Sequence, residues 1–287
     1  MMKYIEDLSQ EQEEYYFLEL SLTQQLYNKY LKEVNKQIEK NKDENNHLLE
    51  ALILLMSSVG DVLNIDTNQI SKLEKQLNKE IDKAIQKQMK DEISNIEKIV
   101  KEVIKEEFKI NNYLQKIGLE DFQIQNITEK EIMEIIDFKI NDKTFKDRIE
   151  DNKKNISNML SSAISLFLLG DITTEKVINE LSKNLNLNNY MTSRLGTHEV
   201  MRCLTGASEL WKEKAGITKE IYCSVLEKNT CQLCMRLHGT IYDVADTSKP
   251  NIPLHVHCKC KYITIPNNLW KNFTDGQIKL QDILKGE

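Results

Sequence analysis

The sequence predicts a mainly α protein, with a long-helix N-terminal body and a small C-terminal α+β unit. Three observations carry that prediction. All three prolines, Pro250, Pro253 and Pro266, lie in the last forty residues. Of nine glycines only Gly60, Gly118 and Gly170 precede residue 195. Proline costs a helix interior about 3 kcal/mol and glycine about 1, so a long stretch nearly free of both is helical. The third observation is a single apolar stripe: Ile70, Leu73, Leu77, Ile81, Ile85, Met89, Ile93, Ile96, Val100 and Val103. Its nine steps cover 33 residues, or 3.67 per step, the period of a straight helix and not of a left-handed heptad coil.

Two helices are expected before that stripe, around residues 8–40 and 45–63. Lys, Glu, Asn and Gln fill the face opposite the stripe, so each helix packs on one side and offers no visible chemistry. Asn111 to Thr128, with Gly118 and mixed polarity, is expected to break the helix. Helical pattern resumes over Glu129–Asp137 and Phe145–Leu169. Gly170 then stops the chain, and Thr173 or Thr174 caps a helix carrying Val177, Ile178 and Leu181. A further helix, Met191 to Ala215, should end at Gly216. Beyond it the texture changes. Glu220–Leu226 is short, apolar and partly β-branched, and Cys258–Ile265 alternates up to Pro266, so both are expected to be strands.

Composition bounds the function classes. Hydrophobic residues make up 40% and charged residues 29%, as in a globular chain. The Lys, Glu, Asn and Ile bias points to an AT-rich genome. A net charge of -6 gives no global field toward nucleic acid or an anionic membrane. The start, Met1 to Asp7, lacks a secretory pattern. Leu48–Met56 and Ile156–Gly170 are apolar but short of the roughly 20 residues a spanning helix needs. A soluble protein made in a cytoplasm, with no membrane partner and no small-molecule substrate, is expected.

In that reducing setting the six cysteines are better read as ligands or core thiols than as disulfides. Cys231-Gln232-Leu233-Cys234 is a knuckle that lets two thiolates reach one ion. His255-Val256-His257-Cys258-Lys259-Cys260 follows, and taking His255 with Cys258 gives C-x2-C-x20-H-x2-C, a spacing typical of structural zinc sites. Thiolates with imidazole favour zinc over magnesium or calcium. The candidate ligands are Cys231, Cys234 and Cys258, with His255, His257 or Cys260 completing the set. In an extended strand Cys258 and Cys260 share a face, so an all-thiolate site is open too. Cys203 and Cys223 are expected in the core.

A thiolate-rich, closed site is expected to be structural, and the chain not to be an enzyme. Glu227 and His238 lie near the site, but the order of a zinc deaminase is absent. His198-Glu199 is expected to be the polar edge of a helix, and His47 has no sequence partner. A zinc-stabilised nuclease of the His-Asn-His sort would need an Asp-His pair ahead of its Asn-x-x-x-His, and no Asp-His pair is present. A DNA-binding module is the other alternative. Lys259 and Lys261, beside His257, make a small basic strand that could touch phosphate, without the Arg/Lys stripe and aromatics of a typical binder.

Cys223 to Ile265 resembles the C-terminal domain of the phage head-morphogenesis family, the Mu F-type minor head (minor capsid) proteins. The matching residues are Thr230-Cys231-Gln232-Leu233-Cys234, Leu237-His238-Gly239, and Pro253-Leu254-His255-Val256-His257-Cys258-Lys259-Cys260. Upstream, Thr144–Ile149, the helix to Leu169, and the Gly170 turn with Glu175 to Leu185 look like the family's preceding helices. Glu227 stands where the family usually has Asp, Lys259 where it has Arg, and Thr197-His198-Glu199 for Arg-Thr-Glu.

The resemblance implies three regions. Residues 1–139 would be a helical N-terminal region, 140–266 the minor-head domain with its Cys/His metal site at 223–265, and 267–287 a tail too short for a further domain. It also implies a virion component inside the head or procapsid. Such a protein is portal-associated, contacts other head proteins and phage DNA, and influences DNA packaging or ejection.

Overall fold

In a computed structural model the described residues are 8–58, 66–224, 230–255, 258–274 and 278–285. They form mainly helix, with a small sheet near the C-terminal end. Two compact units are present, each built from separate stretches of chain. One comprises 1–32, 98–138 and 197–287, the other 33–97 and 139–196. Each therefore draws on both sides of the linear boundary expected at 139/140.

The first helix, α1 (Gln10–Ser57), is continuous where two were expected. The apolar stripe lapses at Asn41 and Asn45, yet both side chains are buried at the helical spacing set by Val34, Leu48 and Leu52. Residues 59–63 of the expected second helix lie outside the described residues. α2 (Thr67–Lys116) carries the long stripe. It ends inside the stretch 111–128 expected to break it, where Asn112 holds the returning chain, its amide donating to Gln125 O at 2.8 Å and its oxygen accepting from Gln125 N at 2.9 Å. The turn begins at Gly118, where a Cβ would lie 2.2 Å from the indole Nε1 of Trp270.

α3 (Glu129–Ile136) and α4 (Phe145–Leu168) each open with a capping box, Thr128 with Glu131 and Thr144 with Asp147. α5 (Thr174–Lys214) is again one helix where two were expected. Its asparagine run does not break it, because Asn188 and Asn189 are buried and hydrogen-bonded. Gly216, at φ +67°, ends the turn after it as expected.

The unit of 33–97 and 139–196 is a four-helix assembly of α1, α2, α4 and α5 segments. Leu52, Leu77, Ile81, Leu160, Ile164 and Leu181 lie in its apolar core. Beside that core runs a buried polar network. Lys153 Nζ meets Glu92 Oε2 at 2.8 Å and Asn188 Oδ1 at 2.8 Å. Thr192 Oγ1 donates to Glu92 Oε2 at 2.9 Å, and Asn41 Nδ2 reaches the same oxygen at 3.3 Å. Asn188 then donates to Gln88, Gln88 to Asn45, and Asn45 to Asn189, at 2.8, 2.8 and 2.9 Å. A buried charge is tolerable only when paired and hydrogen-bonded, and all four helices contribute to that condition here. Gly196 lets α5 approach closely, since a Cβ there would lie 2.8 Å from Val34 and 3.0 Å from Ile96.

In the other unit Arg202 clamps the end of α3. Its guanidinium donates to Ile135 O at 2.6 Å and Ile136 O at 2.9 Å, while Glu199 accepts from its Nε at 2.7 Å. A cation on the last carbonyls of a helix satisfies orphan acceptors and complements the dipole. Glu199 is thus buried, not at the polar edge the sequence suggested, because Arg202 neutralises it.

After α5 come β1 (Lys219–Cys223), α6 (Gln232–Leu237), β2 (Ile241–Asp243), β3 (Lys261–Thr264) and α7 (Leu280–Lys285). The sheet order is β2-β1-β3, antiparallel throughout, with Ile221 opposite Ile263 and Tyr222 opposite Tyr262. β2 was not foreseen. β1 is shorter than the expected 220–226, and residues 225 and 226 lie outside the described residues. One sheet face carries Ile221, Cys223 and Ile263, which pack on Tyr16 of α1. The other carries Tyr222 and Tyr262, which pack on Cys234, Cys258 and Cys260.

Candidate metal centre

The knuckle is positioned by backbone hydrogen bonds to β1. Gly239 N donates to Tyr222 O at 2.8 Å, and Tyr222 N to Thr240 O at 2.8 Å. Gly239 takes φ +82°, a conformation that suits glycine and turns the chain back onto the strand. Cys231 is the N-cap of α6, its sulfur accepting from Cys234 N at 3.4 Å. That places Cys231 half-exposed and Cys234 buried beneath it.

The second half of the site arrives on the segment before β3. Tyr262 holds that segment by donating its hydroxyl to Pro250 O at 2.7 Å. Lys249 anchors it further upstream, with Nζ 2.6 Å from Glu209 and paired with Glu220. Cys258 N donates to His255 O at 3.0 Å, and the side chains of both residues lie beside Cys234. His255 is exposed, and Cys258 and Cys260 are buried.

Cys234 Sγ lies 3.6 Å from His255 Nε2 and 3.9 Å from Cys258 Sγ. Two thiolates on one tetrahedral ion of zinc-like bond length stand about 3.8 Å apart, and a thiolate and an imidazole about 3.6 Å. The donors therefore fit a soft metal ion in both chemistry and spacing. They fall into two sets, Cys231–Cys234–His255 and Cys234–Cys258–Cys260, each mutually within 4.8 Å. All five predicted ligands are thus brought together, and the cluster can hold a metal ion. His257 and Glu227 lie outside the described residues.

The thiols without metal are electrostatically uneven. Hydrogen bonding to Cys260 is the main cause that lowers Cys258 to about 5, and the same interaction pushes Cys260 up. Burial raises Cys234 to about 11. The amide of Cys234 lowers Cys231 below the ordinary thiol value. Tyr222, packed over the cluster, is raised by burial and then by Cys260 and Cys234. His238 points elsewhere: its Nδ1 accepts from Ser224 N at 3.2 Å, and burial lowers its pKa.

Of the two lysines suggested for phosphate contact, Lys261 does not lie at the surface. Lys261 is 2% exposed and turned to the helical face of the sheet. Its ammonium sits 2.6 Å from Thr23 Oγ1, 2.8 Å from Glu107 and 3.0 Å from Glu19. Lys259 lies with Nζ 5.9 Å from the ring centre of Tyr27. Alternation explains the burial of Lys261: Cys260 and Tyr262 face the cysteine cluster, which drives Lys261 inward between carboxylates that α1 and α2 provide.

Sequence reasoning missed Tyr222 and Tyr262, which wall the cluster and stack edge-on at 5.4 Å. Their signal was their place in strands flanking the cysteines. Cys223, expected in the core, is buried and accepts from the Tyr16 hydroxyl at 2.9 Å, and Cys203 is buried as well. His47 lies on the surface, 3.7 Å from Glu50.

No helix among the described residues is long and apolar enough to cross a membrane. Comparison with known proteins finds no matching family model, no matching curated protein and no matching solved structure.

Proposed function

We propose that this chain is a minor head protein of a tailed bacteriophage, a structural component whose C-terminal unit is stapled by zinc. The observation that carries the reading is the convergence of the motif residues. Cys231, Cys234, His255, Cys258 and Cys260 come from two segments some twenty residues apart in sequence and meet around Cys234. These are the residues through which the chain resembles the head-morphogenesis family.

A structural role also follows from the size of the sheet. Its three strands are five, three and four residues long, so backbone pairing alone contributes little stability. A metal that joins α6 to the segment before β3 supplies folding free energy that such a unit lacks. Thiolate-rich sites with enough ligands to close the shell are structural more often than catalytic.

On this reading the protein works by assembly at the portal and inside the head, and it influences packaging or ejection of DNA. The test is co-expression with the portal protein of the encoding phage, followed by size-exclusion chromatography and mass spectrometry of purified virions. Co-elution with portal and presence in virions are expected. A chain that elutes alone and is missing from virions overturns the reading.

A further inference from the structure

Tyr222 is wholly buried, and its hydroxyl has no hydrogen-bond partner among the described residues. Its neighbour across the sheet differs. Tyr262, paired with it in register and stacked edge-on at 5.4 Å, donates its hydroxyl to Pro250 O at 2.7 Å. A buried hydroxyl without an acceptor is a net cost, so phenylalanine would suit position 222 better unless an acceptor arises there. The groups packed beside this hydroxyl are the sulfurs of Cys260 and Cys234, which after burial are the main causes that raise its pKa.

We infer that the Tyr222 hydroxyl donates a hydrogen bond to the sulfur edge of the cluster, at Cys260 or Cys234, when those sulfurs are metal-bound thiolates. This rests on the metal-site reading above and deepens it. A thiol is a weak acceptor, whereas a thiolate carries the charge that makes such a bond short and strong. The ring is held in place for that contact. Tyr222 N donates to Thr240 O and Tyr222 O accepts from Gly239 N, both at 2.8 Å. The strand residue is thus tied to the turn that follows the helix of Cys234.

Charge gives the bond its weight. Three or four thiolates around one divalent ion leave the site negative. The ammonium groups packed on this sheet are committed to carboxylates, Lys261 to Glu19 and Glu107, and Lys212 and Lys249 to Glu209 and Glu220. A neutral donor that spreads the sulfur charge lowers the cost of burying it. Tyr222 is then not a ligand but a positioning residue that acts through a ligand sulfur.

The test compares the full chain with its Tyr222→Phe variant, which keeps the ring and loses the donor. Zinc affinity is read by chelator competition, and bound cobalt(II) by its thiolate charge-transfer absorption. Zinc affinity should weaken roughly 10- to 100-fold, as when a hydrogen bond to a metal ligand is removed. The cobalt band should move to longer wavelength, because the sulfur loses a bond that stabilises its lone pair. Thermal unfolding separates this effect from packing: the variant should fall below wild type with zinc bound, and not after demetallation. Tyr262→Phe should instead lose stability in both states and leave the band in place. A measurement on the wild type needs no variant. With cadmium-113 bound, a tyrosine hydroxyl proton should show scalar coupling to the metal through sulfur. An unmoved band with unchanged affinity and no coupling, or an equal loss of stability in both states, overturns the inference and leaves the metal-site reading intact. A wild type that binds no ion overturns both.

Discussion

Cys260 and Lys261 are adjacent in sequence, yet their side chains lie on opposite faces of the sheet. The thiol packs with Tyr222, Cys234 and Cys258, while the ammonium is buried between Glu19 and Glu107. The sheet thus joins two unlike environments, a Cys/His cluster that can hold a metal ion and an ionic contact with the long helices.

Lys261→Met should destabilise the protein by about 3–5 kcal/mol, because it leaves two buried carboxylates without their cation. Urea unfolding followed by circular dichroism reads this directly. A lysine that served DNA at the surface would cost less than about 0.5 kcal/mol on removal.

Lys153→Met should behave alike in the other unit, where Glu92 would lose its partner at 2.8 Å. The double variant Lys153→Met/Glu92→Met should recover much of the loss, since replacing a whole buried pair by apolar groups is far cheaper than breaking it. Strictly additive losses in the double-mutant cycle would show that the pair is not coupled.

Gly118→Ala should cost about 1–3 kcal/mol through overpacking, since the new methyl would overlap the buried Trp270 indole. Tryptophan fluorescence should shift to the red as Trp270, whose Nε1 now donates to Leu114 O at 2.8 Å, is displaced. An unchanged emission maximum would mean that the indole is not held against this turn.

The Glu131 carboxylate is held at about 2, first by its hydrogen bond to Lys214 and then by the Thr128 amide. A depressed carboxylate contributes stability above its unfolded pKa, near 4.5, and loses it as pH falls toward 2. Glu131→Gln should therefore be less stable than wild type at pH 7 by about 0.5–1 kcal/mol, given the partly exposed ion pair. That gap should close by about pH 2. A gap that does not depend on pH would contradict the assignment.

Much of this structure was legible in the sequence. The scarcity of proline and glycine announced the helices, and the stripe from Ile70 to Val103 placed α2. The two misread boundaries share one cause. At Asn41–Asn45 and again around Asn184–Asn189 the buried positions are amides, so a search for apolar periodicity sees a gap where the helix continues. The five donors were legible because the chemistry of a soft metal restricts residue type and spacing together. Lys261 was not, since a lysine on a strand reads as exposed unless its partners, Glu19 and Glu107, are known to converge from far along the chain. The short strand β2 had too few residues to show a period.

The most direct test of the metal-stapled unit is metal content, measured by inductively coupled plasma mass spectrometry on the wild type and on Cys231→Ser/Cys234→Ser. Bound zinc is predicted in the wild type. The double variant should lose it, and its thermal unfolding temperature should fall. A well-folded wild type that carries no metal would contradict the account and leave the five side chains as buried and surface groups without a ligand.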